Sequence, residues 1–166
     1  MRASLGVVEP WVAEYEHVYR EHSAEVFRFL LAWTNDSSAA QDLMQEAFAR
    51  LWAHRRSVDW DRPLIGWLLV TGRRLANSRY RSLRRKLSVA APEPFSDEAV
   101  RARWLDVQAG MKTLTPLERV ALIHTALEGW SYSELAQLMG TTDGALRAAV
   151  SRARETGGRI DGRVAG

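Results

Sequence analysis

The most distinctive chemical feature of this sequence is a block of cationic side chains near its middle. The block consists of Arg73, Arg74, Arg79, Arg81, Arg84, Arg85 and Lys86. Residues 58–88 carry eight basic and two acidic side chains, whereas residues 1–57 carry six basic and eight acidic ones. Such a concentration of positive charge favours a polyanionic partner such as nucleic acid. A solvated helix face would give the same composition, so composition alone leaves both interpretations open.

The other side chains that could do chemistry form no catalytic or metal-binding pattern. The sequence has no cysteine, which excludes disulfides, thiolate metal ligands and cysteine catalysis. No metal-ligand spacing connects the four histidines, which are His17, His22, His54 and His124. Asp59 and Asp61 are typical of a turn and a helix N-cap. We therefore expect neither an enzyme nor a bound cofactor or metal.

Length and composition are those of an ordinary globular protein. The chain has 166 residues, of which 46% are hydrophobic, and a net charge of only +3. It holds one mid-sized domain or two small ones. We find neither an apolar run long enough to cross a membrane nor the apolar core of a signal peptide. We therefore predict a cytoplasmic protein that does not insert into membranes.

One segment, residues 88–96, interrupts an otherwise helical pattern. Its two prolines, Pro92 and Pro94, forbid a continuous helix. We predict an all-α protein of two small helical domains, covering residues 10–87 and 97–157, joined by a flexible linker at 88–96. The two halves need not touch. Residues 158–166 are expected to form a flexible tail.

Helical periodicity and capping signals place the individual helices. In the first half we predict helices over about 10–33, 39–54 and 63–86, the second of them capped by Ser38. We expect Phe48, Trp52 and Trp67 to lie in the core. In the second half we predict helices over 97–113, 116–128, 132–139 and 143–156. Their starts are marked by the pairs Thr115–Glu118 and Ser131–Glu134 and by Thr142.

Residues 131–154 have the anatomy of a helix-turn-helix. Gly140 allows the tight turn, and Leu146 and Val150 occupy the buried face of the second helix. Arg147, Ser151 and Arg154 then project outward, where they could enter a DNA major groove. Thr142 and the helix N-terminus could bind a phosphate. Unrelated helical bundles share this pattern, so the pattern alone does not establish DNA binding.

Two segments together resemble a known family. Ala39–Trp52 is similar to the region 2 signature of bacterial RNA polymerase sigma factors, and the helix from Gly66 to Arg85 resembles the helix that follows it. Residues 114–154, beginning Leu-Thr-Pro-Leu-Glu-Arg and ending Ser-Arg-Ala-Arg, resemble region 4. We expect no further domain between or before them. That layout is typical of the extracytoplasmic-function (ECF) group.

The resemblance implies a role for the polar face of the second helix, which periodicity alone would assign to solvent exposure. Asp42, Gln45 and Glu46 would dock on the β′ clamp coiled coil of core RNA polymerase. Region 2 would also capture the melted −10 strand, since single-stranded DNA is held by stacking and a cationic groove. The implied −10 residues are Trp60, Arg73, Arg74, Asn77, Arg81, Arg84 and Arg85.

Region 4 would bind the −35 element as duplex and contact the β flap. The implied residues are Thr142, Arg147, Ser151, Arg152 and Arg154. The linker would thread toward the polymerase active-site cleft, and an anti-sigma factor is a further partner implied by the family. The implied function is that of an alternative sigma factor, which binds core polymerase, recognises −10 and −35 elements and directs transcription initiation.

Some positions depart from the family pattern. Arg74 stands where asparagine is usual, and Ser78 where aspartate is usual. Ala149 replaces a basic residue of the recognition helix, which leads us to hypothesise a weaker or altered −35 contact. A free-standing helix-turn-helix regulator and a sigma mimic that sequesters a regulator are the alternatives. The sequence does not reveal the promoter, the inducing signal or an anti-sigma factor.

Overall fold

A computed structural model describes the chain at residues 9–83, 109–126 and 128–164, and its side chains at residues 9–79, 109–126 and 128–156. These ranges form a helical turn at 109–111 and six helices: α1 (Pro10–Thr34), α2 (Ser37–Ala53), α3 (Ile65–Leu83), α4 (Pro116–Ala126), α5 (Tyr132–Met139) and α6 (Asp143–Val164). No strand occurs within them, and the predicted all-α class is confirmed. The predicted linker and most of the predicted helix at 97–113 lie outside them.

The junction between α1 and α2 differs from the prediction. Asp36, not Ser38, is the N-cap of α2: its Oδ1 accepts a hydrogen bond from the N–H of Ala39 at 3.0 Å. Asn35 ends α1 in a left-handed conformation with φ 53°, and its N–H donates to the carbonyl of Leu31. Because this turn reverses the chain within two residues, α2 begins at Ser37, earlier than the predicted cap at Ser38 implied.

The caps of the second half are confirmed. Thr115 and Glu118 exchange reciprocal hydrogen bonds of 3.2 and 3.0 Å at the start of α4. Ser131 and Glu134 form the same capping box at the start of α5. Thr142 accepts from the N–H of Ala145 at 3.1 Å and caps α6. Since a helix of eight residues is marginal by itself, the Ser131–Glu134 box helps to stabilise α5. The last helix runs to Val164, past its predicted end near Thr156.

The three helices α1–α3, here called the N-terminal half, pack around a fully buried core. It contains Phe29 and Leu30 of α1, Leu43, Phe48 and Leu51 of α2, and Leu68 and Leu69 of α3. Helices α1 and α3 approach closely at Gly72, where an added Cβ would lie 3.1 Å from Leu30 Cδ2. Two of the three aromatic residues expected in the core are not buried, because Trp52 and Trp67 each retain 38% exposure.

The helices α4–α6, here called the C-terminal half, bury Val120, Leu135, Leu146, Ala149 and Val150. Ala149 is fully buried. The loss of a basic side chain at that position therefore removes no surface charge in this arrangement, contrary to the reasoning behind the hypothesis of a weakened −35 contact. Replacing Ala149 with arginine would test folding rather than DNA binding, since a charged side chain would enter the core.

The two halves are in direct contact. Helix α1 packs against α4, α3 contacts α5, and the buried residues of both halves form one continuous hydrophobic cluster. We call this contact the seam and define it by Arg28, Phe29 and Ala32 on one side and Arg119, His124 and Glu128 on the other. The guanidinium of Arg119 donates from Nε to the carbonyl of Ala32 at 2.7 Å. It also donates from Nη2 to the carbonyl of Trp33 at 2.7 Å, and from Nη1 to Leu114 within its own half.

Candidate nucleic-acid and protein interfaces

The outer face of α2 presents the three residues expected to bind the polymerase. Asp42, Gln45 and Glu46 are all exposed and lie on one side of the helix. Two of them pair with cations: Asp42 Oδ2 lies 3.1 Å from Arg79 Nη2, and Glu46 Oε1 lies 3.2 Å from Arg50 Nη2. Such exposed pairs contribute little to stability and break easily. The face therefore offers carboxylates that a partner cation can take over at low energetic cost.

Trp60 lies in the α2–α3 connection and lines an open groove of about 600 Å³. Its Nε1 donates to the carbonyl of Arg55 at 3.0 Å, which fixes the ring at the edge of the groove. The guanidinium of Arg55 stacks on Trp11 and Trp52, with its central carbon 4.8 and 5.0 Å from the two ring centroids. The groove combines the aromatic faces of Trp11 and Trp60 with the cations of Arg55 and Arg56, a chemistry that suits unpaired bases. Glu9, Glu14 and Asp61 also line it, and these carboxylates disfavour the approach of a phosphate. Sequence reasoning missed Trp11 and Arg55, because no spacing rule connects the start of α1 with this turn.

The predicted −10 residues of α3 are only partly free. Arg74 is exposed, whereas Asn77 Oδ1 accepts a hydrogen bond from Trp33 Nε1 at 3.2 Å. Arg73 Nη1 donates to the carbonyl of Met139, the last residue of α5, at 3.3 Å. Arg73 is therefore occupied by the helix-turn-helix. The side chains of Arg81, Arg84 and Arg85 lie outside the described part of the chain.

The predicted −35 residues divide into structural and accessible groups. The hydroxyl of Thr142 caps α6, and Arg152 Nε lies 3.0 Å from Glu118 Oε1, joining α6 to α4. Ser151 and Arg154 are exposed. Arg147 is also exposed, and its guanidinium is held over the ring of Tyr132 and against Asp143. The recognition helix therefore presents an ordered arginine at its N-terminal end.

The hydrogen bonds that the Glu118 carboxyl accepts lower its pKa. The main cause is the hydrogen bond from the Thr115 backbone N–H, and the guanidinium of Arg152 adds to it. Both interactions favour the charged form, so Glu118 stays ionised although it is only 9% exposed. The carboxylate is thereby committed to holding the C-terminal half together.

His124 is a fully buried histidine at the seam. Its ring packs edge-on against Phe29 of α1 and against Trp130. Nε2 lies 3.4 Å from Glu128 Oε2, and Glu128 Oε1 lies 2.7 Å from Arg28 Nε. Burial lowers the pKa of His124 most strongly, although the Glu128 carboxylate opposes this. Sequence reasoning predicted a surface or partly buried histidine at this position, because the contact with Phe29 of α1 depends on how the two halves pack.

Within the described residues, no group of three or more potential ligands is placed to hold a metal ion. None of the helices in that part of the chain is long and apolar enough to cross a membrane. The described residues offer three surfaces that could bind a partner. These are an acidic face on α2, a cationic and aromatic region around α3, and a helix-turn-helix. Together they define a helical protein that binds both a protein partner and DNA.

Comparison with known proteins identifies the family. Residues 18–86 match sigma-70 region 2, and residues 104–156 match sigma-70 region 4. The ECF sigma factor SigC of Mycobacterium tuberculosis is 32% identical over 138 residues, which span 79% of this chain and 74% of SigC. The sigma factor CarQ of Myxococcus xanthus is 27% identical over 151 residues, 85% of each chain. The chain belongs to the ECF group of RNA polymerase sigma factors. It is an alternative sigma factor that directs transcription initiation.

Solved structures show the same fold at low sequence identity. The sigma factor RpoE of Bartonella quintana, in complex with the anti-sigma factor NepR, superposes with a TM-score of 0.67 at 20% identity, covering 88% of this chain and 95% of RpoE. CnrH, in complex with the cytosolic domain of CnrY, has a TM-score of 0.64 at 20% identity and covers 88% and 86%. The family match and these superpositions agree on the all-α architecture.

Proposed function

We propose that three separate surfaces of this chain bind core polymerase, the −10 strand and the −35 duplex. Asp42, Gln45 and Glu46 dock on the β′ clamp coiled coil. The groove at Trp60 and the cations of α3 hold the melted −10 strand, and α6 holds the −35 duplex. The chain itself carries no catalytic activity and works in the cytoplasm. An anti-sigma factor is a further proposed partner, supported by the partners named for the RpoE and CnrH structures.

The observation that supports this division most strongly is the separation of charge. The α2 face contributes carboxylates, whereas α3 and α6 contribute arginines. A carboxylate face suits a basic protein surface, and arginines suit phosphates and base edges. In this view the acidic face binds the protein partner and the cationic faces bind DNA.

Core binding can be tested by reversing one charge. We expect Glu46→Lys to weaken binding to sigma-free core polymerase by at least tenfold, because it places a cation against a basic partner surface. Glu16→Lys is the matched control, since Glu16 is also exposed but lies on α1. Equal binding by both variants would contradict the assignment of this face.

The seam implies a change of arrangement on the promoter. A promoter presents its −10 and −35 elements as separate segments along the DNA. Arg73 nevertheless touches Met139 beside the recognition helix, so the two DNA surfaces adjoin each other. We propose that the seam opens when both elements are bound.

Because the chain contains no native cysteine, the seam can be locked by engineered ones. The variant Arg28→Cys with Glu128→Cys, joined by a short bis-maleimide, should bind core polymerase but lose promoter-dependent transcription. Glu16→Cys with Arg20→Cys, joined by the same reagent within α1, is the control and should stay active. Full transcription from the locked variant would show that the seam need not open.

A transcription assay with this chain, core polymerase and promoter DNA also tests the two alternative functions, a free-standing regulator and a sigma mimic. A free-standing regulator would bind duplex DNA but not core polymerase. A sigma mimic would bind core polymerase without initiating transcription. Initiation from a cognate promoter by the reconstituted enzyme supports the sigma assignment and contradicts both.

A further inference from the structure

Three side chains at the N-terminal end of the recognition helix form a compact cluster. The guanidinium carbon of Arg147 lies 4.3 Å from the centroid of the Tyr132 ring. On another side, Arg147 Nε donates to Asp143 Oδ1 at 3.1 Å. Tyr132 is the first residue of α5, whereas Arg147 and Asp143 share the first two turns of α6. The cluster therefore spans both helices of the helix-turn-helix.

This geometry orders the arginine without occupying the part that reads DNA. A cation stacked on an aromatic face is held in a defined plane. Asp143 engages Nε, and among the described side chains neither Nη1 nor Nη2 of Arg147 has a protein partner. The guanidinium thus keeps its two-pronged end free. That end matches O6 and N7 of guanine with a rigid planar fork, which the flexible side chain of lysine lacks.

The other basic residues of α6 are placed differently. Arg152 is tied to Glu118, and Arg154 is exposed with no interaction of this kind among the described residues. The side chain of Arg147 remains 63% exposed although it is held from two sides. Asp143 also places a carboxylate beside Arg147, which disfavours approach to the phosphate backbone. A base edge carries no such charge, so the cluster favours base contact.

We propose that Tyr132 and Asp143 are positioning residues that aim Arg147 at one guanine of the −35 duplex. This inference rests on the proposed role of α6 in binding the −35 element. It adds that Arg147 sets base specificity, and that two neighbours which need not touch DNA determine how strongly it does so.

The test uses holoenzyme assembled from the full chain and core polymerase, with a promoter library randomised across the −35 element. Wild-type holoenzyme should prefer guanine at one position by about 10- to 100-fold. Arg147→Ala should abolish that preference, because it removes every donor that could reach O6 and N7 of guanine. Tyr132→Leu should reduce it to a few-fold while leaving preferences at the other positions unchanged.

Two conservative variants provide a control and a second test. Tyr132→Phe keeps the aromatic face and should keep the preference, whereas Asp143→Asn weakens the contact to Nε and should reduce it. The dependence of binding on salt should be the same for wild type and Tyr132→Leu, since no phosphate contact is removed. A structural role for Tyr132 would instead lower binding to every promoter equally.

The outcomes distinguish a failure of this inference from a failure of the proposed role of α6 in binding the −35 element. If Arg147→Ala abolishes the guanine preference and Tyr132→Leu does not reduce it, the positioning role is wrong while the −35 assignment stands. If Arg147→Ala changes no base preference, this inference is wrong, because Arg147 then reads no base. If the holoenzyme selects no −35 sequence at all, the proposed role of α6 fails as well.

Discussion

Arg119 Nε lies 2.7 Å from the carbonyl oxygen of Ala32, a residue 87 positions earlier in the chain. Ala32 and Trp33 belong to the last turn of α1, whose carbonyls have no partner within the helix. The guanidinium supplies hydrogen bonds to both and places a positive charge at the negative end of the helix dipole. Arg119 thus caps a helix that belongs to the other half of the protein.

Replacing Arg119 should therefore destabilise the whole described arrangement. Arg119→Met keeps most of the side-chain volume but leaves the α1 carbonyls without this donor. We expect the free energy of unfolding to fall by about 3 kcal/mol, since buried groups that lose a charged partner are costly. Urea denaturation measures this. The control Arg20→Met, at an exposed position of α1, should change it by less than about 0.5 kcal/mol.

His124 should make stability depend on pH. Burial lowers its pKa below the ordinary value of 6.5, so the unfolded chain binds more protons than the folded one just below pH 6.5. The free energy of unfolding therefore falls as the pH falls through this window, by at most about 1.4 kcal/mol per pH unit from this residue. Denaturation curves between pH 7.5 and 5 measure the slope.

The source of that slope can be isolated with two variants. His124→Phe preserves a ring against Phe29 and Trp130 but cannot titrate, so its slope should be flatter than that of the wild type. Ser133→Ala changes an exposed residue without an ionisable group and should leave the slope unchanged. A wild-type slope in His124→Phe would mean that another group causes the pH dependence.

The capping box of α5 can be tested at two serines of the same segment. Ser131→Ala removes the hydroxyl that accepts from the Glu134 N–H at 3.1 Å, and should cost about 1 kcal/mol. It should also raise the pKa of Glu134, which the Ser131 hydroxyl and backbone N–H now lower. Ser133→Ala lies inside the helix and is exposed, so it should have almost no effect. Equal loss of stability in both variants would argue against the cap.

Arg152 and Arg154 should differ in their contribution to the stability of the fold. Arg152→Gln removes the partner of Glu118 and should lower the free energy of unfolding by about 0.5–1 kcal/mol, a modest loss because Arg152 is largely exposed. It should also raise the pKa of Glu118, whose charged form stabilises the fold above pH 4.5 and does so less as the pH falls. Arg154→Gln should leave stability unchanged. Carboxyl NMR titration and thermal unfolding measure both effects.

Local signals were enough to predict most helices. The periodic stripe of α2 and the capping boxes of α4 and α5 depend on residues three or four apart, which sequence spacing reveals directly. The start of α2 was misplaced because Asp36, Ser37 and Ser38 can all act as caps, and only the turn at Asn35 selects among them. Trp52 and Trp67 were misjudged because a helical stripe does not show how far the neighbouring helices extend over it.

Residue types and short-range spacing are sufficient to predict the family, the helical class and the charge of each surface. Only the tertiary structure showed which charges are already in use. Arg73 and Arg152 look equivalent to other arginines in the sequence, yet one contacts Met139 and the other Glu118. Hydrogen bonds between residues 34 to 87 positions apart depend on how the helices pack, and no local pattern encodes that packing.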